Sequence, residues 1–448
     1  KRDVIGRGIA ASPGAATGKI VFNANDAQAS AARGEKCILV RRETSPEDIR
    51  GMHAAQAVLT ERGGITSHAA VIGRGMGLPC VVGASSMRFD LVKGQITATD
   101  GRVFKAGDEI TLDGTQGEVL CGAPDTLEPL LDATFQKLMD WAEQTADIGI
   151  RANADTPADA QTARNFNAHG IGLCRTEHMF FDPSRLTVMR EMIFADTSEG
   201  RRAVLDRLLP MQREDFIQLF RIMQGQPVCI RLFDPPLHEF LPASRSGQRD
   251  LAEALDLPLS NVTRRIEAMS EYNPMLGLRG VRLGVTVPEI YEMQARAIFE
   301  ATIEASRDGE PVVPEIMIPL VSAKREVELV KASVDKIATA VRSERGASFT
   351  YRLGVMVETP RAALRAGEIA PYCSFLSFGT NDLTQMTYGL SRDDAGRFMS
   401  TYVQQGVFPE DPFHMLDQDG VGELLQLGAA RGREAQPGVT LSICGEHG

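Results

Sequence analysis

Ile148-Gly149-Ile150-Arg151-Ala152, then Thr156-Pro157, a helical stretch to His169 that stops at Gly170, then Gly172-Leu173-Cys174-Arg175: this passage decides the fold class of the 448-residue chain. An apolar, strand-like run leads into Thr-Pro, an N-cap followed by a residue whose fixed φ suits the first helical position. A glycine closes the helix and a second strand follows. The unit then repeats. Strand-like runs recur at Val228-Cys229-Ile230-Arg231-Leu232, Glu315-Ile316-Met317-Ile318, Leu353-Gly354-Val355-Met356-Val357, Phe375-Leu376-Ser377-Phe378 and Leu441-Ser442-Ile443-Cys444. Helical spans such as Val321 to Arg342 separate most of them. That makes seven strands, or eight if Gly280-Val281-Arg282-Leu283 is one. Such alternation predicts an α/β chain with a (β/α)8 TIM-type barrel over 148–448, incomplete at its C-terminal end.

Residues 1–122 read differently, as a small mixed α/β domain. Short strands are expected at Lys19-Ile20-Val21-Phe22, Cys37-Ile38-Leu39-Val40, Ala57-Val58-Leu59-Thr60, Cys80-Val81-Val82 and Gln95-Ile96-Thr97-Ala98. Ser45-Pro46-Glu47-Asp48 before Ile49 reads as the capped start of a short helix. A linker helix is expected within 123–147, capped by Asp125, with Pro129 near its first turn and Phe135, Leu138 and Met139 on a broad apolar face.

At 448 residues the chain exceeds a typical single core. A net charge of −11 argues against nucleic acid as a partner. No apolar run approaches a membrane span, and Lys1-Arg2-Asp3-Val4 opens no signal peptide, so no membrane partner is expected. The seven scattered cysteines form no C-x-x-C pair, which fits reduced thiols in a cytoplasmic protein. The start at Lys1 and the stop just after a strand-like run are read as those of a fragment.

Two constellations carry chemistry. In Arg62-Gly63-Gly64-Ile65-Thr66-Ser67-His68-Ala69-Ala70, an imidazole follows a glycine pair at the start of a small-residue helix. Backbone N–H groups and the helix dipole favour an anion there, which suits a phosphorylated histidine; a turn with a surface histidine is the plainer alternative. At the strand ends, Arg175 and Arg231 offer guanidinium forks matched to phosphate or carboxylate, unless each merely pairs a neighbouring acid. Glu358 and Asp382 fall at the ends of consecutive strand units and can hold Mg2+ by hard oxygen ligands, or else serve as caps or ion-pair partners. The Gly379-Thr380-Asn381 turn offers N–H groups and an amide to a substrate carboxylate or carbonyl. Arg279 either orients these carboxylates or braces the rim.

Thr66-Ser67-His68-Ala69-Ala70-Val71 with Arg74-Gly75-Met76-Gly77 resembles the phosphohistidine signature of the phosphoenolpyruvate (PEP)-utilising enzymes. Gly172 through Phe181, Asp234-Pro235-Pro236-Leu237-His238-Glu239-Phe240-Leu241-Pro242 and Phe378 through Asp394 are similar to its dikinase branch in particular. PEP synthase and the phosphotransferase-system enzyme I share the histidine and barrel motifs but not the Asp-Pro-Pro-Leu-His-Glu-Phe run. The resemblance implies that His68 is catalytic and carries the phosphoryl group on a swivelling domain. It further implies that Arg175 and Arg231 bind the substrate phosphate and that Glu358 and Asp382 hold Mg2+ as cofactor. Gly379, Thr380 and Asn381 would complete the pyruvate/PEP site.

Thr66 matches a position phosphorylated by a regulatory kinase/phosphorylase, where added charge would repel the phosphoryl donor. A homodimer through the barrel is implied, as is an ATP-grasp domain elsewhere in the same full-length chain, to which nothing here corresponds. The family's proton-shuttling cysteine is expected downstream of the Cys-Gly-Glu-His run, a position none of the seven cysteines holds, leaving Cys444 as a strand residue. The expected activity is therefore the pyruvate half of a dikinase reaction, impaired by that missing thiol. The alternatives are a PEP synthase or enzyme I-like phosphotransferase, or a non-catalytic PEP-binding regulator.

Overall fold

The computed structural model describes residues 2–45, 48–64, 67–125, 133–307, 309–395 and 398–447. Packing divides the chain into two units, 1–145 and 146–448. No helix among the described residues is long and apolar enough to cross a membrane.

The first unit is built on an eight-stranded mixed sheet. Four parallel strands form its middle: Ala15–Val21, Cys37–Arg41, Ala57–Thr60 and Cys80–Val82. Ile9–Ser12 runs antiparallel along one side, and Glu109–Asp113, Glu118–Cys121 and Val4–Arg7 along the other. Successive side chains point to opposite faces. Ile20, Ile38, Leu59 and Val81 thus share one core with Ile110 and Leu112, and Val21, Leu39, Val58 and Val82 share another. The parallel strands were legible because both their faces are apolar. The antiparallel ones carry Glu109, Asp113 and Glu118 among their apolar residues and escaped notice.

The second core takes the helix His68–Gly75 through Ala69 and Ala70. At Gly73 this helix lies so near the sheet that a Cβ would stand 2.4 Å from Cys80 Sγ, which explains a glycine in a helix interior. A three-stranded antiparallel meander, Arg88–Asp90, Gln95–Thr97 and Val103–Lys105, adds to this unit. The short helix is Ile49–Ala54; Pro46 and Glu47 lie outside the described residues. In the span read as a linker, a helix covers Ala133–Thr145 within the first unit, with Phe135, Leu138 and Met139 exposed, while Pro129 lies outside the described residues.

Among the described residues, the second unit holds seven strands: Ala152–Asn153, Ile171–Arg175, Val228–Arg231, Glu315–Ile318, Arg352–Val357, Phe375–Gly379 and Thr440–Cys444. All are parallel and neighbours in chain order, curling into an incomplete barrel. Three expectations need correction. Gly280-Val281-Arg282-Leu283 is no strand: Gly280 has φ +57°, and a helix follows over Val281–Thr286. The first strand starts at Ala152, leaving Ile148 and Ile150 exposed outside it. The helix after it has the expected Thr156 cap, completed by Asp159 into a reciprocal box, but ends at Asn165 because Asn167 turns left-handed at φ +57°. The later helix read from Val321 is Lys324–Arg345.

Candidate active site

Strand periodicity builds the site. Leu173, Cys229, Met317, Met356 and Phe375, one from each of five strands, form a closed apolar cluster against which Cys444 packs. Residues drawn from strands alone can meet this way only inside the barrel. Two positions further along a strand, a side chain points inward again, one layer nearer the mouth. That rule carries Leu173 to Arg175, Cys229 to Arg231 and Met356 to Glu358. Arg175 and Arg231 are direct partners on adjacent strands.

A chain of charges crosses the mouth. Arg231 is buried and pairs with Glu177 through Nη2 and with Asp234 through Nη1 at 3.1 Å. Arg279 grips Asp234 with Nη2 at 2.7 Å and Nε at 3.3 Å, and its Nη2 stands 3.6 Å from Asp382 Oδ2. Burial works against the Arg231 charge, yet Asp234, Glu177 and Glu358 hold its guanidinium above the ordinary arginine value. Burial likewise works against the Asp234 carboxylate, and Arg231 and Arg279 outweigh it, holding that carboxyl below its usual range. Arg279 thus both braces the rim and reaches Asp382. Despite this pairing, Arg231 Nε and Glu177 Oε2 are buried without a hydrogen-bond partner among the described residues, and Arg175 Nε, also without one, has Asp155 Oδ2 at the longer distance of 3.5 Å. Buried polar atoms left over in such a place call for a ligand or ordered water.

Glu358 is almost wholly buried, and its Oε1 accepts the N–H of Leu320 at 2.7 Å. Leu320 itself has φ +57°, strained backbone beside the site. Burial, with the charges of Asp382 and Asp234, pushes the Glu358 carboxyl well above its usual range. A divalent cation between Glu358 and Asp382 would relieve that unfavourable charge, so the pair fits Mg2+. Among the described residues no group of three or more His, Cys, Asp or Glu is arranged to hold a metal, so this pair would need substrate or water oxygens to complete the shell.

Gly379-Thr380-Asn381 is not a turn: Gly379 ends its strand and Thr380 starts a helix, Thr380–Tyr388, with Asp382 in the first turn. Thr380 Oγ1 donates to Cys444 O at 3.0 Å, and Asn381 Oδ1 accepts the Glu446 N–H at 3.0 Å. These side chains clamp the exit of the seventh strand. The first-turn N–H groups of a helix remain suited to an anion. Beside them a cleft of about 910 Å3 is lined by Asp234, Glu239, Arg279, Asp382 and Gln385 among others.

Cys444 does end a strand, as read. The same strand turns its thiol to the barrel interior, where burial and the Glu358 charge raise its pKa. Sequence reading missed it, together with Asp155, Glu177 and Asp234. The two-residue spacing from Arg175 to Glu177, and from Asn153 to Asp155, was the available signal.

In the first unit, Ser67 precedes the helix at its N-cap position, its N–H donating to Gly64 O at 3.0 Å, and the backbone of His68 begins the helix. Among the described residues, Ser67 makes no capping bond and its buried Oγ has no partner. Thr66 lies outside the described residues.

Residues 131–448 match the family model for the PEP-binding domain of PEP-utilising enzymes, and residues 33–117 that for their mobile domain. The chain belongs to the PEP-utilising enzyme family. This PEP-utilising chain is 54% identical over 449 residues to the pyruvate, phosphate dikinase of Rhizobium meliloti (strain 1021). It is 47% identical over 447 residues to that of Clostridium symbiosum, and 51% over 451 residues to the chloroplastic pyruvate, phosphate dikinase 1 of Oryza sativa subsp. japonica. Each comparison covers 100% of this chain but only 50%, 51% and 48% of the relative, so the chain spans about half their length.

Proposed function

We propose that this chain carries the pyruvate half of the pyruvate, phosphate dikinase reaction, in which phosphohistidine and pyruvate interconvert with histidine and PEP. The whole reaction, ATP + phosphate + pyruvate ⇌ AMP + diphosphate + PEP, would draw its ATP half from an ATP-grasp domain of the full-length protein. The observation that carries this reading is the pair Arg175 and Arg231, partners on adjacent strands at the barrel mouth, in a chain that matches the PEP-binding family model.

In the direction of pyruvate formation, a ring nitrogen of His68 attacks phosphorus; the P–N bond forms as the P–O bond to the enol breaks. Arg175 and Arg231 hold the phosphoryl oxygens and offset charge as it redistributes. The helix start at Thr380 and Asn381 receives the substrate carboxylate. Glu358 and Asp382 would hold Mg2+, which when bound supplies Lewis-acid stabilisation to the enolate oxygen. The Cys444 thiol then gives its proton to the methylene carbon, yielding the methyl group of pyruvate. A raised thiol pKa keeps that proton available at neutral pH. We assign the shuttle to Cys444 itself, in place of a cysteine further along.

Incubation with 32P-labelled PEP and Mg2+ tests the reading. One acid-labile label per chain is expected, with none on a His68→Ala variant; unlabelled protein, or label persisting in that variant, contradicts it. The regulatory phosphate on Thr66, the homodimer through the barrel and a cytoplasmic location remain part of the proposal.

A further inference from the structure

Asp155 lies just past the first barrel strand, in the loop that opens on the mouth, and the chemistry above makes no use of it. Its Oδ1 accepts the backbone N–H of Arg175 at 2.7 Å. Its Oδ2 stands 2.7 Å from His178 Nδ1 and 3.5 Å from Arg175 Nε. One carboxylate therefore holds the arginine by its backbone, attracts the inner nitrogen of its side chain, and contacts a histidine three residues further along the chain.

We propose that Asp155 is a positioning residue whose charge draws the Nε edge of Arg175 to the barrel wall, leaving the terminal nitrogens for the substrate phosphate. The inference rests on the reading of Arg175 as a phosphate ligand. An arginine side chain loses much rotamer freedom when it is fixed, and anchoring it beforehand removes that cost from binding. The same negative charge repels a phosphate. That repulsion is screened by solvent across an Arg175 side chain still 35% exposed, and the Asp155 Oδ2 also contacts His178 Nδ1 at 2.7 Å. Pre-ordering is the larger effect, so removing the charge weakens phosphate binding instead of tightening it.

Titration calorimetry on the 448-residue chain, with Mg2+ present and PEP or pyruvate as ligand, separates the outcomes. Asp155→Asn keeps the shape and the acceptor for the Arg175 N–H but removes the charge. The Kd for PEP should rise about tenfold while that for pyruvate, which has no phosphate, changes by less than about twofold. Unchanged or tighter PEP binding overturns the inference, and so does equal weakening of both ligands, which a merely structural role would produce. Arg175→Ala serves as the control. If that variant binds PEP normally, the phosphate role of Arg175 itself fails; if it binds PEP weakly while Asp155→Asn does not, only the positioning role fails.

Discussion

At the floor of the barrel Glu315 is held by Arg151 at 2.6 Å and by Arg352 at 2.5 Å, and Arg352 also donates to Thr440 Oγ1 at 2.8 Å. At the mouth the same residue types meet: Arg231 and Arg279 around Asp234, with Glu177, Glu358 and Asp382 at the edges. Among the described residues, the floor leaves no polar atom of its four side chains buried without a partner. Among the described residues, the mouth leaves Arg231 Nε and Glu177 Oε2 without a hydrogen-bond partner, and it pushes the Glu358 carboxyl pKa upward. Identical chemistry is satisfied at one end and left wanting at the other. The floor closes on itself to hold strands together, while the mouth keeps groups that the proposed anion and cation would satisfy. The division matches the general one between the stabilising and catalytic faces of such barrels.

Substitutions at either end can break that contrast. The largest effect is expected from Glu358→Gln, which should cut the rate of PEP-dependent labelling of His68 about a thousandfold, read by rapid quench. The same variant should be more stable than the parent at neutral pH in a chelator. A carboxyl whose folded pKa is raised favours the fold below its ordinary value of 4.5 and loses that contribution as pH rises through the folded value. The gap in thermal midpoint should therefore close as pH falls toward 4.5.

Glu315→Ala should do the reverse. Leaving Arg151 and Arg352 unpaired at the floor should cost about 3 kcal/mol in denaturant unfolding, with the Kd for PEP unchanged. If PEP binding falls as well, floor and mouth are not separate. Cys444→Ala should slow exchange of pyruvate methyl protons with deuterated water about a hundredfold, followed by NMR, while PEP still labels His68. Retained exchange would remove Cys444 from the proton path. The smallest change is expected of Arg279→Lys, which loses the two-pronged hold on Asp234 and should raise the KM for PEP about tenfold.

Much of this contrast was legible in the sequence. Arg175, Arg231 and Glu358 stand where apolar strands turn polar, and strand periodicity alone aims them inward. Glu315 looks much the same in sequence, yet it begins its strand instead of ending it, which puts it at the opposite face. What escaped was whatever depends on contacts between loops. Asp234, though visible in Asp-Pro-Pro, becomes a hub only because Arg279 returns from 45 residues away. Gly280 stayed open as a strand because its neighbours are apolar, when a left-handed φ and the Asp234 carbonyl that accepts its N–H at 2.7 Å set its path. Cys444 is legible as a strand residue, whereas the direction of its thiol follows from a register no single segment reveals.

The most direct test is a crystal structure of the chain soaked with PEP and Mg2+. The account predicts the phosphate between the Arg175 and Arg231 guanidinium groups, a cation shared by Glu358 and Asp382, and the methylene carbon facing the Cys444 thiol. A phosphate bound away from both arginines, or a cation bound elsewhere than on those two carboxylates, would contradict it.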